Sequence, residues 1–485
     1  MDRPRALNLT LAPGLLAAWG AAIAAGAIVI VAALAAGRPV FAVWGLLAVA
    51  VVGGLVVLAI RDGTGGWLAA GVLLVAGALP TRVFAAWQPQ TLGRSFDIVA
   101  VVALGCVVLA WLGRMLVRSG GRANSLAMPQ AALLALAVGG VAIHAGDYAD
   151  LDPVFRALVR IFVPMLGFWL VATSRLENRQ ALMLVRVLLA VGALLAFLGL
   201  RWPLQLWRNP HASFLFGAQG VWAVRTITPV GGPGLSALAL AMMLPIALAM
   251  AMLDSKRLRS LWLGCALAML AGVAMSVNRS GTIGCGAALM LFVWLNRRLL
   301  HKRAVVVAAG LAVAAITVAG LVVMYRHSTN FARLTRVVNM DSPSDRLRWS
   351  SARVAFEVGA RRLAFGGGVG RFYPRDWTMR QLMIEGGASA RNPHCLYLEG
   401  FAEMGIAGLL VVMWLVGKPL YDFLSERRRA SSQHAVMLSA FACSALAMMM
   451  YSALSCALFE QLRVAIVAWW IIGLGYQFWR PQPAA

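Results

Sequence analysis

The sequence predicts an all-α polytopic membrane protein. Three observations predict it: long uncharged apolar runs, no two-residue alternation within them, and basic clusters that recur after every second run. Of the 485 residues 61% are hydrophobic and only 13% charged, and mean hydropathy is +0.79. Soluble domains hold roughly 45–50% apolar residues, so a water-soluble fold is excluded. Lipid offers the backbone no hydrogen-bond partner, which leaves helices or a closed barrel. The absence of alternating polar and apolar positions removes the barrel.

A helix rising 1.5 Å per residue needs about 20 apolar residues to cross a core about 30 Å thick, and about fourteen runs meet that length. In order they lie near 12–36, 40–60, 67–87, 96–117, 126–145, 157–173, 181–200, 235–253, 261–277, 280–296, 304–325, 396–417, 435–458 and 463–479. The first follows Arg3 and Arg5 and is too long for a signal-peptide core, so it reads as a retained anchor. Starting with a cytoplasmic N-terminus, the inner loops carry Arg61, then Arg114, Arg118 and Arg122, then Arg175 and Arg179. Next come Lys256, Arg257 and Arg259, then Arg297, Arg298, Lys302 and Arg303, then Arg427, Arg428 and Arg429. The positive-inside tendency therefore puts both termini in the cytoplasm of a bacterial inner-membrane protein. The formal charge of +25 is in this way topological and does not indicate nucleic-acid binding.

Five segments follow: N-terminal membrane helices at 1–200, a first periplasmic segment at 201–234, central helices at 235–325, a large periplasmic loop at 326–395, and C-terminal helices at 396–485. Within the large loop, Pro343 suits a first helical turn, and Trp349, Ala352, Phe356 and Leu363 recur on one face of the helix it opens. Arg346, Arg353, Arg361 and Arg362 take much of the remainder. Such a helix lies against the membrane or roofs a cavity; the alternative is a solvated packing helix.

Charges at helix ends near hydrocarbon are the candidate site material, because each is costly without a partner or a task. Arg279 sits in Ser276-Val277-Asn278-Arg279-Ser280-Gly281, a very short connection between two runs. Arg225 precedes Pro229 and Gly231-Gly232-Pro233-Gly234, and His394 follows Arg391-Asn392-Pro393 where the large loop re-enters the membrane. Paired guanidinium forks suit a pyrophosphate, and a histidine is readily poised as a base. The competing readings are interfacial arginines that snorkel and a structural histidine. His144, His211 and His327 show no metal-ligand spacing with Asp147, Asp150 and Asp152, so no metal site is expected. The cysteines likewise show neither disulfide nor zinc spacing. Gly366-Gly367-Gly368-Val369-Gly370, with no strand before it, reads as a loop hinge ahead of a phosphate cradle.

The block His394-Cys395-Leu396-Tyr397-Leu398-Glu399-Gly400-Phe401-Ala402-Glu403-Met404-Gly405-Ile406-Ala407-Gly408-Leu409 resembles the signature of the O-antigen ligase and polymerase superfamily. In that family a histidine opens a transmembrane helix that carries a glutamate and two glycines at these spacings; Cys395 stands where asparagine is frequent. Asp345-Arg346 through Trp349 to Gly370-Arg371-Phe372 is similar to the family's approach to the histidine, and Arg279 and Arg225 are similar to its two arginines. The resemblance spans roughly 220–415. It implies the polyprenyl-dependent, GT-C-type membrane glycosyltransferase fold with about 12 to 14 helices.

The resemblance further implies metal-independent, inverting transfer of a glycan from an undecaprenyl pyrophosphate carrier at the periplasmic face, without a cofactor. The acceptor is lipid A core for a ligase or the growing glycan for a polymerase. Arg225 and Arg279 would bind the pyrophosphate, and His394 would act on the acceptor hydroxyl. Arg346 and Arg371 would add to the phosphate field, and Glu403, on the helix face opposite His394, would brace a neighbouring helix. A transporter or flippase of lipid-linked sugars is the reading from another class, but it calls for polar residues at the bilayer midplane, where this chain has few.

Overall fold

Helix dominates because the runs offer good helix formers and lipid-compatible surfaces, and among the described residues no strand is present. The computed structural model describes residues 126–144, 152–173, 176, 178–208, 228–301 apart from 229, 231 and 277, 343–370, and 393–479, all within one compact unit of the chain. The first four expected runs, the run at 304–325, and Arg225, Arg371, His211 and His327 lie outside the described residues.

The helices are α1 (Ala127–Ile143), α2 (Asp152–Thr173), α3 (Asn178–Arg208), α4 (Pro233–Leu253), α5 (Lys256–Met275), α6 (Arg279–His301), α7 (Pro343–Arg361), α8 (Leu396–Arg427), α9 (Ser432–Ser452), α10 (Ala457–Glu460) and α11 (Leu462–Trp479). Among the described residues five are long and apolar enough to cross a membrane: α3 over Asn178–Leu200, α4, α5, α8 and α9. Two expected boundaries move. Helix α3 runs on to Arg208, into the stretch assigned to the first periplasmic segment, and the run at 435–458 ends as a helix at Ser452 before the short α10.

Helix α4 is apolar all round, and 83% of its apolar window is buried, as such a pattern requires. It packs on α3, α5, α6 and α9. Small residues let the backbones approach: a methyl added at Gly281 would sit 2.3 Å from the Ala237 Cβ, and one at Gly284 would sit 3.0 Å from the Ala447 carbonyl oxygen. The Ser444 hydroxyl donates to the Met242 carbonyl at 2.6 Å, tying α9 to the middle of α4.

Neighbours joined by short connections must run antiparallel, which sorts the helix ends into two groups. At one end the Ser280 hydroxyl donates to the Leu454 carbonyl at 3.3 Å, and the Tyr397 hydroxyl donates to the Met449 carbonyl at 3.0 Å. At the other, Arg186 pairs with Asp254 at 3.2 Å, and Arg427 donates to the Leu295 carbonyl and, at 2.6 Å, to Ser439. The second end therefore collects Lys256, Arg257, Arg259, Arg297, Arg298 and Arg427 to Arg429, while Arg279 and His394 lie at the first. Nearer the basic end, Asp422 is only 3% exposed and is satisfied by Lys418 and by the Tyr476 hydroxyl at 2.6 Å, which pins α8 to α11.

Outward surfaces are apolar. On α8, Ile406, Leu410, Met413 and Trp414 are exposed at helical spacing, as are Ile283, Met290 and Trp294 on α6. Such stripes suit contact with lipid tails.

Candidate active site

The connection between α5 and α6 explains its own sequence. The Ser276 hydroxyl closes α5 by donating to the Val273 carbonyl at 2.6 Å. Asn278 starts α6 by accepting the Gly281 N–H on its side-chain oxygen at 2.8 Å, a capping bond across the first turn. Arg279 thus occupies the first turn of α6, half-buried, where the helix dipole favours an anion.

His394 has φ of 51°, a left-handed backbone at a non-glycine residue, and follows buried Pro393. Such conformations persist only where the surroundings impose them, and they concentrate at functional sites. Burial first, and the Arg348 cation second, hold its imidazole below the usual histidine range. Next to it, burial is the main reason the Cys395 thiol sits above its ordinary range, which favours the protonated form.

The helix that His394 introduces is broken. Gly405 has φ of 69° and ψ of −162°, so α8 comprises two helical segments, 396–404 and 406–427. A methyl on Gly408 would lie 2.4 Å from the Gly400 carbonyl oxygen, although eight residues of straight helix would separate the two by about 12 Å. The first segment therefore folds back on the second, and the straight run expected over 396–417 is corrected to a bent pair. Only a glycine at the bend supplies that φ without Cβ strain.

The glycine-rich stretch grips this break. The Gly367 N–H donates to the Ala402 carbonyl at 2.7 Å, the Gly368 N–H to the Glu403 carbonyl at 3.0 Å, and the Ile406 N–H to the Leu363 carbonyl at 2.9 Å. Buried Glu403 accepts the Gly370 N–H on its carboxylate at 2.9 Å. Glu403 thus ties the glycine-rich loop to the break in the helix. Gly366, at φ of 65°, has no room for a side chain, since a Cβ would lie 2.4 Å from the Glu403 carbonyl carbon.

Helix α7 packs on α8 through Ser351, Val354, Ala355 and Gly359, with Phe356 5.8 Å from Phe401 between ring centres. The aromatic stripe read from the sequence faces away from the protein: Trp349 is 62% exposed, Phe356 57% and Leu363 55%. Arg346 lies on α7, but its side chain is outside the described residues.

Arg279 and His394 share the end of the bundle opposite the basic clusters, and a chain of neighbours links them. Arg348 is within electrostatic range of both His394 and Tyr451. The Tyr451 hydroxyl, which hydrogen-bonds the Ser455 side chain, crowds Gly234 from one side, 2.7 Å from where a Cβ would stand. Asn278 Nδ2 crowds the same glycine at 3.0 Å and belongs to the residue preceding Arg279. Buried Thr228, three residues after Arg225, receives its place from Ser236, whose hydroxyl accepts the Thr228 N–H at 2.9 Å. Arg348, Tyr451 and Asn278 were not singled out by sequence reasoning. The available signals were a second arginine two residues beyond Arg346, one of only 7 tyrosines at the end of a long apolar run, and a capping asparagine.

Residues 264–413 match the family model described as O-antigen ligase. The match takes in Arg279, α7, the glycine-rich stretch, His394 and the broken helix, covers less than a third of the chain, and supports the resemblance to the O-antigen ligase and polymerase superfamily. No curated protein matches the chain.

Proposed function

We propose that the protein is a membrane glycosyltransferase that moves a glycan from undecaprenyl pyrophosphate to an acceptor at the periplasmic face, with 12 to 14 crossings, a GT-C-type fold and both termini in the cytoplasm. Its leading form is an O-antigen ligase acting on lipid A core. What carries the reading is a titratable histidine in an imposed backbone conformation at the same end of the bundle as an arginine on a helix N-terminus, opposite the basic clusters.

The chemistry asks little beyond these groups. His394 takes the proton of the acceptor hydroxyl, whose oxygen attacks the anomeric carbon from the side opposite the carrier. The bond from that carbon to the pyrophosphate oxygen breaks, configuration inverts, and the carrier leaves as undecaprenyl pyrophosphate. Arg279 and Arg225 stabilise the charge that grows on the leaving phosphates, which spares the reaction a metal. Arg346 and Arg371 add positive field, and Glu403 holds the loop in register with His394.

A polymerase extending the carrier-linked glycan is the second reading, because the superfamily that the histidine block resembles includes both ligases and polymerases. A deletion strain separates them. A ligase leaves long carrier-linked chains with uncapped lipid A core, whereas a polymerase leaves core capped by single repeats. His394→Ala and Arg279→Ala should reproduce the deletion phenotype at normal protein levels; full activity in either removes that residue from the mechanism.

A further inference from the structure

Helix α7 has one face committed to the protein and one face left over. Ser351, Val354 and Ala355 are buried on the side that packs on α8, and Gly359 is pressed on the Phe401 ring, where an added Cβ would lie 2.4 Å from a ring carbon. The opposite side presents Trp349, Phe356 and Ala360 at helical spacing, and the helix end and the turn after it expose Arg361, Arg362, Leu363 and Phe365 in close succession. That much exposed aromatic and aliphatic surface marks a contact surface.

What covers it follows from what adjoins it. The Ile406 N–H donates to the Leu363 carbonyl at 2.9 Å, so the turn after α7 sits at the head of the second segment of α8. From there Ile406, Leu410, Met413 and Trp414 run along that segment as one exposed stripe, in a helix long and apolar enough to cross a membrane. Leu363 and Phe365 therefore extend the lipid-facing surface of α8 beyond its break, and a protein partner would have to share that surface with the lipid already against the stripe. Aromatic rings beside guanidinium groups at the end of a membrane stripe are the composition of an interfacial anchor.

We propose that the free face of α7 and the turn at 361–365 form a docking surface for anionic phospholipids of the surrounding leaflet. Trp349, Phe356 and Phe365 rest on the upper acyl chains, Arg361 and Arg362 hold headgroup phosphates, and Leu363 sits at headgroup depth, where water still reaches. The surface requires α8 to cross a membrane and asks nothing of His394. Its use follows from where the chain goes next. The Gly366 N–H donates to the Arg362 carbonyl at 2.8 Å, and the glycine-rich stretch that begins there clasps the break at Gly405, so lipid bound at Arg361 and Arg362 steadies the clasp from outside.

The test uses the full chain in phosphatidylcholine nanodiscs, with an environment-sensitive fluorescent amino acid in place of exposed Ala360. Two quenching lipids are compared at equal mole fraction, phosphatidylglycerol and phosphatidylcholine, each carrying a nitroxide high on one acyl chain. Both should quench, and phosphatidylglycerol at least twofold more, because the arginines gather anionic lipid. Arg361→Gln with Arg362→Gln should bring the two lipids to equal quenching. Arg297→Gln with Arg298→Gln, which removes the same charge from the opposite end of the bundle, should keep the parent's ratio. A parent that neither lipid quenches overturns the inference, whether water, a second copy or another protein meets the face. Equal quenching by the two lipids in the parent, an unchanged ratio in the Arg361 and Arg362 variant, or the same fall in both double variants does so as well. Transfer activity enters none of these measurements, so failure of the glycosyltransferase assignment would leave them standing.

Discussion

At the scale of single residues, the side chain to interrogate first is His394. A general base must be neutral, so transfer is lost as pH falls through the histidine's own pKa. Burial and the Arg348 cation both place that value below the ordinary one of about 6.5, which keeps the imidazole neutral across the neutral range. The acid limb of kcat/KM against pH should therefore fall below pH 6.5. Arg348→Gln removes the second cause and leaves the first, so its acid limb should move upward while remaining below the ordinary value. A limb that stays put in that variant shows that the cation does not tune the base. Cys395 offers the contrast: its raised thiol gives no reason to expect activity to track thiolate formation, and Cys395→Ser should keep the parent's profile.

At the scale of elements, the site depends on a broken helix clasped by a loop. The bend at Gly405 turns the segment that begins beside His394, and the loop at 366–370 holds the bend through backbone hydrogen bonds and the Glu403 carboxylate. Both glycines have left-handed φ, and a Cβ at either would lie 2.4 Å from backbone, which no rotamer change relieves. Gly366→Ala and Gly405→Ala should each lower the thermal midpoint in detergent and reduce transfer at least tenfold, at a cost on the order of 1–3 kcal/mol for the strained conformation alone. Gly417→Ala, in the same helix with nothing within 4 Å, should leave both unchanged. Equal behaviour of all three variants would mean that the clasp does not hold the site. Trp349 and Phe356 on α7 and Leu363 just beyond it are exposed beside Arg353, Arg361 and Arg362, a pairing of apolar and basic surface that suits a membrane interface.

At the scale of the whole molecule, the separation of the basic clusters from Arg279 and His394 makes a prediction about sidedness. In a cysteine-free background, a cysteine at exposed Leu363 should react with a membrane-impermeant maleimide on intact inner-membrane spheroplasts, and one at Arg429 only after permeabilisation. The reverse pattern would place the histidine in the cytosol and end the periplasmic assignment. By itself the sequence determined the helical membrane class and the histidine block, because these depend on composition, run length and local spacing. Arg279 was legible for a related reason, since a charge in a very short connection between two apolar runs stands out in the sequence alone. The kink at Gly405 was not, because a glycine in an apolar run also tolerates straight helix, and only the loop packed against it selects the bend. Nor was the meeting of Arg348, Tyr451 and Asn278, which come from three helices far apart in sequence. Proximity of that kind is set by the antiparallel packing of α4, α6 and α9 and by the docking of α7 on α8, interactions that no single segment encodes.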